Sequence, residues 1–225
     1  MLDNLRRFLV EIRAGLKYAD GSWLAILLVT VSLGMSQPVL AAPATILVVG
    51  DSLSAGYGIK VEAGWVNLLR KRLTGQGYEY SVVNASVSGE TSGGGKVRLP
   101  ALLSTHKPAI VILELGANDG LRGLPNAQLR SNLGVMIDTA HQTGAKVLLV
   151  GMQIPTNYGP AYTEGFKAVF ADLAKTKRVA LTPFLMDGVA LDARQLLPDN
   201  LHPNELGQPR LLDNIWPALR PLLKH

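Results

Sequence analysis

The strongest structural signal in the chain is the stretch Ala109-Ile110-Val111-Ile112-Leu113-Glu114-Leu115. Its apolar side chains stand at consecutive positions, so both faces of an extended segment would be apolar. A strand with two apolar faces is typical of a parallel sheet that helices cover on both sides. Further short apolar or β-branched runs predict strands at Thr45–Val49, Tyr80–Val83, Lys146–Val150 and Val179–Leu181.

The segments between these runs show helical periodicity. Three apolar stripes at helical spacing carry it: Trp65, Leu68, Leu69 and Leu73; Leu129, Leu133, Met136, Ile137 and Ala140; Leu212, Ile215, Trp216, Leu219, Leu222 and Leu223. Asn126 is predicted to cap the second helix, and Pro217 to bend or break the third. Alternating strands and helices predict one three-layer α/β domain, with a parallel sheet of about five strands and helices on both faces.

Composition narrows the function classes. The 225 residues suit one domain, and 48% hydrophobic against 17% charged residues is typical of a globular protein. The net charge of +5 comes without a dense cluster of basic residues, so a nucleic-acid partner is not predicted. Without cysteine or a closely spaced pair of histidines, neither a metal site nor another cofactor is predicted.

The first 41 residues resemble an export signal. No charged residue lies between Gly21 and Gly50, and the apolar run Trp23–Met35 follows four basic residues. The segment Val39-Leu40-Ala41-Ala42 offers small residues for a signal peptidase. We therefore expect a signal peptide over 1–41, cleavage near Ala41, and a domain over 42–225 in the periplasm or outside the cell. The alternative is an uncleaved anchor, although the run is shorter than the roughly 20 residues of a membrane span.

Polar residues gather directly after the first three predicted strands. Asp51 and Ser52 follow the first strand, Gly89 lies in the loop after the second, and Asn118 with Asp119 follows the third. In open α/β sheets, ligands bind beyond the carboxyl ends of the strands. The sequence therefore predicts a single site at this edge of the sheet.

The residues at this edge suit nucleophilic catalysis by a serine. A serine hydroxyl needs a base, and the base works best when a carboxylate fixes its tautomer. His202 lies in a loop with Asp199 three residues earlier, whereas His106 and His141 lie near predicted helix ends, where capping is the simpler role. Taken alone, the Asp-x-x-His pattern is equally compatible with a turn aspartate and a capping histidine.

Acyl transfer also needs donors for the oxyanion that develops on the carbonyl oxygen. The backbone N–H groups of Ser52 and Gly89 and the side-chain amide of Asn118 are available. Each also has a structural alternative, because Gly89 suits a turn and Asn118 could brace its own loop.

Four ordered blocks resemble the SGNH, or GDSL, hydrolases: Gly50-Asp51-Ser52-Leu53, Ser88-Gly89-Glu90-Thr91, Gly116-Ala117-Asn118-Asp119 and Asp199 to Pro203. The likeness runs from about Thr45 to Leu223. It implies a flavodoxin-like sheet, Ser52 as nucleophile, Asp199 and His202 completing a triad, and Ser52, Gly89 and Asn118 as an oxyanion hole. Ala117 departs from the pattern, because members often have glycine there.

Two further segments, 114–123 and 152–159, resemble those members of the family that hydrolyse acyl-CoA, lysophospholipids and aryl esters. The resemblance implies a serine esterase or thioesterase that works through an acyl-enzyme on a small-molecule or lipid substrate. We expect a monomer, because the sequence shows no long exposed apolar seam. Membrane contact would come only through the leader or a lipid substrate. Leu121, Ile154 and Tyr158 could line an acyl groove or serve as ordinary loop packing. The alternatives are an exported carbohydrate O-deacetylase and a non-catalytic lipid-binding module.

Overall fold

A five-stranded parallel sheet forms the centre of the computed structural model, which describes residues 43–224. The predicted signal peptide over 1–41 lies outside these residues. The strands, in the spatial order β2-β1-β3-β4-β5, are β1 (Ala44–Gly50), β2 (Tyr80–Asn84), β3 (Ile110–Glu114), β4 (Lys146–Val150) and β5 (Ala180–Thr182). Every neighbouring pair is parallel, so the predicted flavodoxin-like sheet is confirmed.

Helices cover both faces of the sheet. They are α1 (Ser52–Ala55), α2 (Trp65–Gly75), α3 (Ser92–His106), α4 (Ala117–Leu121), α5 (Asn126–Gln142), α6 (Pro160–Lys177) and α7 (Gln208–Leu219). The connection from β1 to β2 runs in one direction along the sheet, and the later connections run in the other. Right-handed crossovers therefore place α2 on one face and α3, α5 and α6 on the opposite face. The packing agrees, because α5 contacts α3 and α6, whereas α2 contacts α7.

The core lies between the sheet and these two helical layers. All five residues of β3 are buried, which explains the unbroken apolar run of its first four residues, Ile110 to Leu113. Trp65 of α2 and Phe166 and Phe170 of α6 are among the largest fully buried side chains. Burial of one such side chain contributes about 1.5–3 kcal/mol, so the sheet is anchored from both layers.

Two local predictions need correction. Asn126 is the first residue of α5 and does not cap it; its Nδ2 donates instead to the Tyr162 carbonyl, 3.0 Å away. Pro217 does not break α7, which continues to Leu219. Pro217 lies in the last turn, where few backbone bonds depend on it, and the buried Leu219 holds the end of the helix against the core.

The fold creates a crevice at the carboxyl ends of β1 and β3. These strands are adjacent, with Gly50 paired to Glu114, but the chain leaves them toward opposite sides of the sheet. Loops that follow β1, β2 and β3 therefore meet at this switch point. Across residues 43–224, no helix has both the length and the apolar character that a membrane span requires.

Candidate active site

Ser52 lies at the point where β1 turns directly into α1. Asp51 caps this short helix, because its Oδ1 accepts a hydrogen bond from the Leu53 N–H at 3.0 Å. Ser52 is half-buried and is the first residue of the helix. The N–H groups of a first helical turn have no acceptor within the helix, so that of Ser52 can serve a ligand.

His202 and Asp199 come to Ser52 from a distant part of the chain. The Nε2 atom of His202 is 2.9 Å from Ser52 Oγ, and its Nδ1 atom is 2.8 Å from Asp199 Oδ2. These distances match hydrogen bonds from the serine hydroxyl to one ring nitrogen and from the other to the carboxylate. The three side chains expected to act together are therefore in contact.

A tight turn orients the His202 ring. Asp199 Oδ1 accepts the N–H groups of Leu201 and His202, at 2.9 and 3.0 Å. Asn200 takes a left-handed conformation (φ 55°), which asparagine tolerates better than most residues. The hydrogen bonds from these backbone groups and from the ring lower the pKa of Asp199 to about 2. Asp199 is therefore ionised across the physiological range.

The loop after β2 runs beside the end of β1. The Ala85 N–H donates to the Val48 carbonyl at 2.9 Å, and the Val87 N–H donates to the Gly50 carbonyl at 3.0 Å. Gly89, two residues further on, has φ 80°, a conformation that favours glycine. This pairing holds the first part of the loop beside the end of β1, the strand that leads into Ser52.

Helix α4 brings Asn118 to the same edge. The Asn118 Nδ2 atom donates to Asp51 Oδ2 at 3.1 Å. The next residue, Asp119, is buried and accepts the Ser92 N–H at 2.7 Å and the Ser92 hydroxyl at 2.5 Å. Successive residues of α4 therefore tie it to the turn at Asp51 and Ser52 and to the start of α3.

Two carboxyl groups are buried beneath the site. Glu114, at the end of β3, accepts the Ser54 hydroxyl at 2.5 Å and the Asp51 N–H at 3.2 Å through Oε2. Burial raises the pKa of Asp51 to about 6. Burial, and secondarily the charge of Asp51, raises the pKa of Glu114 well above its usual value. Complete burial therefore favours the protonated form of Glu114.

The model of the GDSL-like lipase/acylhydrolase family matches residues 48–210, which include all four blocks. The chain belongs to this family. The esterase TesA of Pseudomonas aeruginosa is 54% identical over 183 residues, 81% of this chain and 91% of that protein. The thioesterase 1/protease 1/lysophospholipase L1 of Escherichia coli K12 is 43% identical over 185 residues, 82% of this chain and 88% of that protein.

Solved structures agree with this placement. A crystal structure of TesA has a TM-score of 0.78 at 54% identity, covering 80% of this chain and 99% of that one. The predicted SGNH hydrolase fold is therefore confirmed, and the chain is a hydrolase of ester bonds.

The sequence of this GDSL-family chain assigns no role to two side chains that the structure places at the site. The Tyr57 ring lies 4.6 Å from the His202 ring, centroid to centroid, and is about half exposed. Asp51 was noticed only as part of a motif, yet it contacts both α1 and Asn118. An acidic residue next to the expected nucleophile was the available signal for Asp51, whereas nothing in the sequence pointed to Tyr57.

The residues proposed for an acyl groove lie close to one another. The Tyr158 hydroxyl donates to the Leu121 carbonyl at 2.8 Å. Ile154 is buried, packed so near Gly120 that a Cβ there would lie 2.5 Å from it. Leu121 and Tyr158 are the more accessible members, and a role in substrate binding stays a prediction for all three.

The other histidines of the described region lie away from this cluster. His106 is the last residue of α3, and His141 lies in the last turn of α5, as expected for residues that face the negative end of a helix. Within residues 43–224, no group of three metal-ligating side chains is present.

Proposed function

We propose that Ser52 is the nucleophile of a serine acyl hydrolase, with His202 as its base and Asp199 as the group that orients the base. The continuous contact from Ser52 Oγ to His202 Nε2 (2.9 Å) and from Nδ1 to Asp199 Oδ2 (2.8 Å) is the observation that carries this assignment. A neutral imidazole so held has Nε2 free to accept the serine proton.

The oxyanion hole consists of the Ser52 N–H, the Gly89 N–H and the Asn118 amide. Three features support it: the position of Ser52 at a helix start, the pairing of the loop 85–89 with β1, and the contact of Asn118 with the residue before the nucleophile. Donors fixed before the reaction stabilise charge as it develops, which makes them effective in catalysis.

The reaction proceeds in two halves. Ser52 Oγ attacks the acyl carbonyl carbon while His202 takes its proton, and the tetrahedral intermediate collapses as His202 protonates the departing alcohol or thiol. Water then attacks the acyl-enzyme, His202 takes a proton from it, and collapse releases the acid and returns the proton to Ser52.

The substrates proposed are acyl esters and thioesters: acyl-CoA, lysophospholipids and aryl esters. The names of the relatives, an esterase and a thioesterase that is also a lysophospholipase, support this range. The accessible apolar side chains of Leu121 and Tyr158 would contact the acyl chain. We further propose an exported monomer that needs no cofactor.

The test is hydrolysis by the purified protein of a matched panel: acyl-CoA thioesters, aryl esters, a lysophospholipid and an acetylated sugar. Ser52→Ala is the control and should lose at least about 1,000-fold in kcat. Ser52-dependent cleavage of the acyl substrates is the expected result. Activity restricted to the acetylated sugar would make the protein a carbohydrate O-deacetylase, and inactivity on the whole panel would favour a lipid-binding module.

A further inference from the structure

The carboxylate of Asp51 joins two parts of the site. It is fully buried, with Oδ1 accepting the Leu53 N–H at 3.0 Å and Oδ2 accepting from Asn118 Nδ2 at 3.1 Å. One oxygen therefore fixes the helix that starts at Ser52, and the other holds the side chain proposed to bind the oxyanion.

We propose that Asp51 is a positioning residue that acts through Asn118, holding its amide so that the second Nδ2 hydrogen faces the substrate oxyanion. This inference rests on the proposed function. An amide nitrogen carries two hydrogens, and an ionised carboxylate that accepts one of them fixes the direction of the other. A charged acceptor makes this bond stronger than a bond between two neutral groups.

The surroundings of Asp51 make its charge state decisive. Glu114 faces it from β3, Asp119 from α4 and His202 from the loop at 197–206. Of these three groups only His202 can carry a positive charge, so burial dominates and raises the pKa of Asp51 to about 6. Glu114 is fully buried and accepts both of its hydrogen bonds through Oε2, and this burial raises its pKa well above the usual value.

Protonation of Asp51 would disconnect Asn118. A carboxylic acid has one oxygen that donates and one that accepts, and Asp51 must satisfy two donors, the Leu53 N–H and Asn118 Nδ2. One of these bonds is lost when the proton arrives. The Asn118 side chain is the freer of the two partners, because the Leu53 N–H is fixed in a helix.

The first experiment is a double-mutant cycle on kcat with Asp51→Asn, Asn118→Ala and the double variant. Asparagine is a good helix cap, so α1 keeps its Oδ1 acceptor, but its Nδ2 meets another donor at Asn118. We expect Asp51→Asn to lower kcat by about 10- to 100-fold with KM within about 2-fold, because the amide acts on the transition state.

The double variant separates this inference from a general structural role. If Asp51 acts through Asn118, Asp51→Asn should cost less than about 3-fold once Asn118 is alanine. Independent losses that multiply in the double variant would overturn the inference. Wild-type turnover in Asn118→Ala would overturn the proposed oxyanion hole instead, so the two failures are distinguishable.

The second experiment follows kcat through the acid range. If protonation of the base alone stopped the reaction, log kcat would fall by one unit per pH unit on the acid side of the profile, the acid limb. A second protonation, on Asp51, makes this limb steeper than one unit per pH unit. We expect the steep limb in the wild type and a slope of one in Asp51→Asn. Asp192→Asn, which removes a partly buried carboxylate paired with the exposed Arg194, is the control and should keep the steep limb.

A slope of one in the wild type would contradict the inference. Asp51→Ser covers the case in which Asp51→Asn fails to fold, since serine also caps a helix but cannot reach Asn118. It should reproduce the lower kcat and the shallower limb, and wild-type values in a folded Asp51→Ser variant would overturn the inference.

Discussion

The two sides of Ser52 are held in opposite ways. On the oxyanion side, Asp51 and Asn118 are 67 residues apart, Ser92 and Asp119 are 27 apart, and Asp51, Ser92 and Asp119 are buried. On the side of the base, Asp199 binds partners two and three residues away, and its side chain is 40% exposed.

This difference separates what each side contributes. Buried polar groups that lose a partner cost about 1–3 kcal/mol, or more when charged, because water cannot replace the partner. An exposed carboxylate that loses a partner is solvated again at little cost. Removal of a buried hydrogen-bond partner on the oxyanion side should therefore reduce stability as well as activity, whereas replacement of the exposed Asp199 carboxylate should mainly reduce activity.

The largest expected effect is on turnover, from Asp199→Asn. The amide keeps the size of the side chain but cannot hold the imidazole in the tautomer that accepts the serine proton, so kcat should fall by about 100- to 10,000-fold. The melting temperature should stay within about 2 °C of the wild type, because the exposed turn contributes little to stability. Steady-state kinetics and calorimetry check both, and a large drop in melting temperature would contradict the separation.

The second expected effect is on stability, from Asp119→Asn. Asp119 accepts both the N–H and the hydroxyl of Ser92, and an amide can accept only through one oxygen. We expect a loss of about 2–3 kcal/mol in the free energy of unfolding, measured by denaturant titration. Asp138→Asn is the matched control, since Asp138 pairs with Lys177 at the surface and should cost less than about 1 kcal/mol.

The same contrast explains which features of the fold and of the site can be predicted from the sequence. The apolar run at Ile110–Leu113 predicts the central strand, because burial on both faces leaves its mark on every residue. Asp199 and His202 are three residues apart, so the pattern brings them together before any fold is known. The link from Asp51 to Asn118 depends on the register of β1 with β3, which composition does not encode.

Local rules failed where tertiary contacts decided the outcome. The Asn126 side chain bonds to the Tyr162 carbonyl on α6, and this contact across two helices competes with capping. Similarly, Tyr57 meets His202 only because the loop after α1 packs against the loop that carries the base.

The third expected effect is on the pH dependence of stability, where the two sides should have opposite signs. The raised pKa of Asp51, about 6, means that the folded state holds this proton more tightly, so its contribution to stability falls as pH rises from about 4 to 6. The lowered pKa of Asp199, about 2, gives a contribution of the opposite sign, present above about pH 4 and lost as pH falls toward 2, and it is small because the carboxylate is exposed.

The Asp51→Asn variant isolates the pH-dependent contribution of the buried Asp51 carboxyl to stability. The difference in free energy of unfolding, variant minus wild type, should be more positive by about 1–2 kcal/mol at pH 7.5 than at pH 4.5. The reason is that the amide does not ionise as pH rises, whereas the buried carboxyl does. Denaturant titrations at the two pH values measure the change. Asp199→Asn should show no such gain between the same pH values, and an equal gain there would remove the distinction between the two sides.

The smallest expected effect concerns Tyr57, the aromatic side chain on the exposed side. Its ring lies 4.6 Å from the His202 ring, and the imidazolium that forms during attack by Ser52 would be attracted to the aromatic face. Such a contact at an exposed position contributes about 0.5–1 kcal/mol, so Tyr57→Leu should lower kcat/KM by about 2- to 5-fold.

Tyr57→Phe is the matched control because it keeps the ring and removes only the hydroxyl. It should retain wild-type kcat/KM within about 1.5-fold, and both variants should melt within about 2 °C of the wild type, since half of this ring is already in water. Equal losses in the two variants would assign the effect to the hydroxyl. A fall in melting temperature with Tyr57→Leu would show that the exposed side also supports the fold, and the contrast between the two sides of Ser52 would then hold for the carboxylates alone.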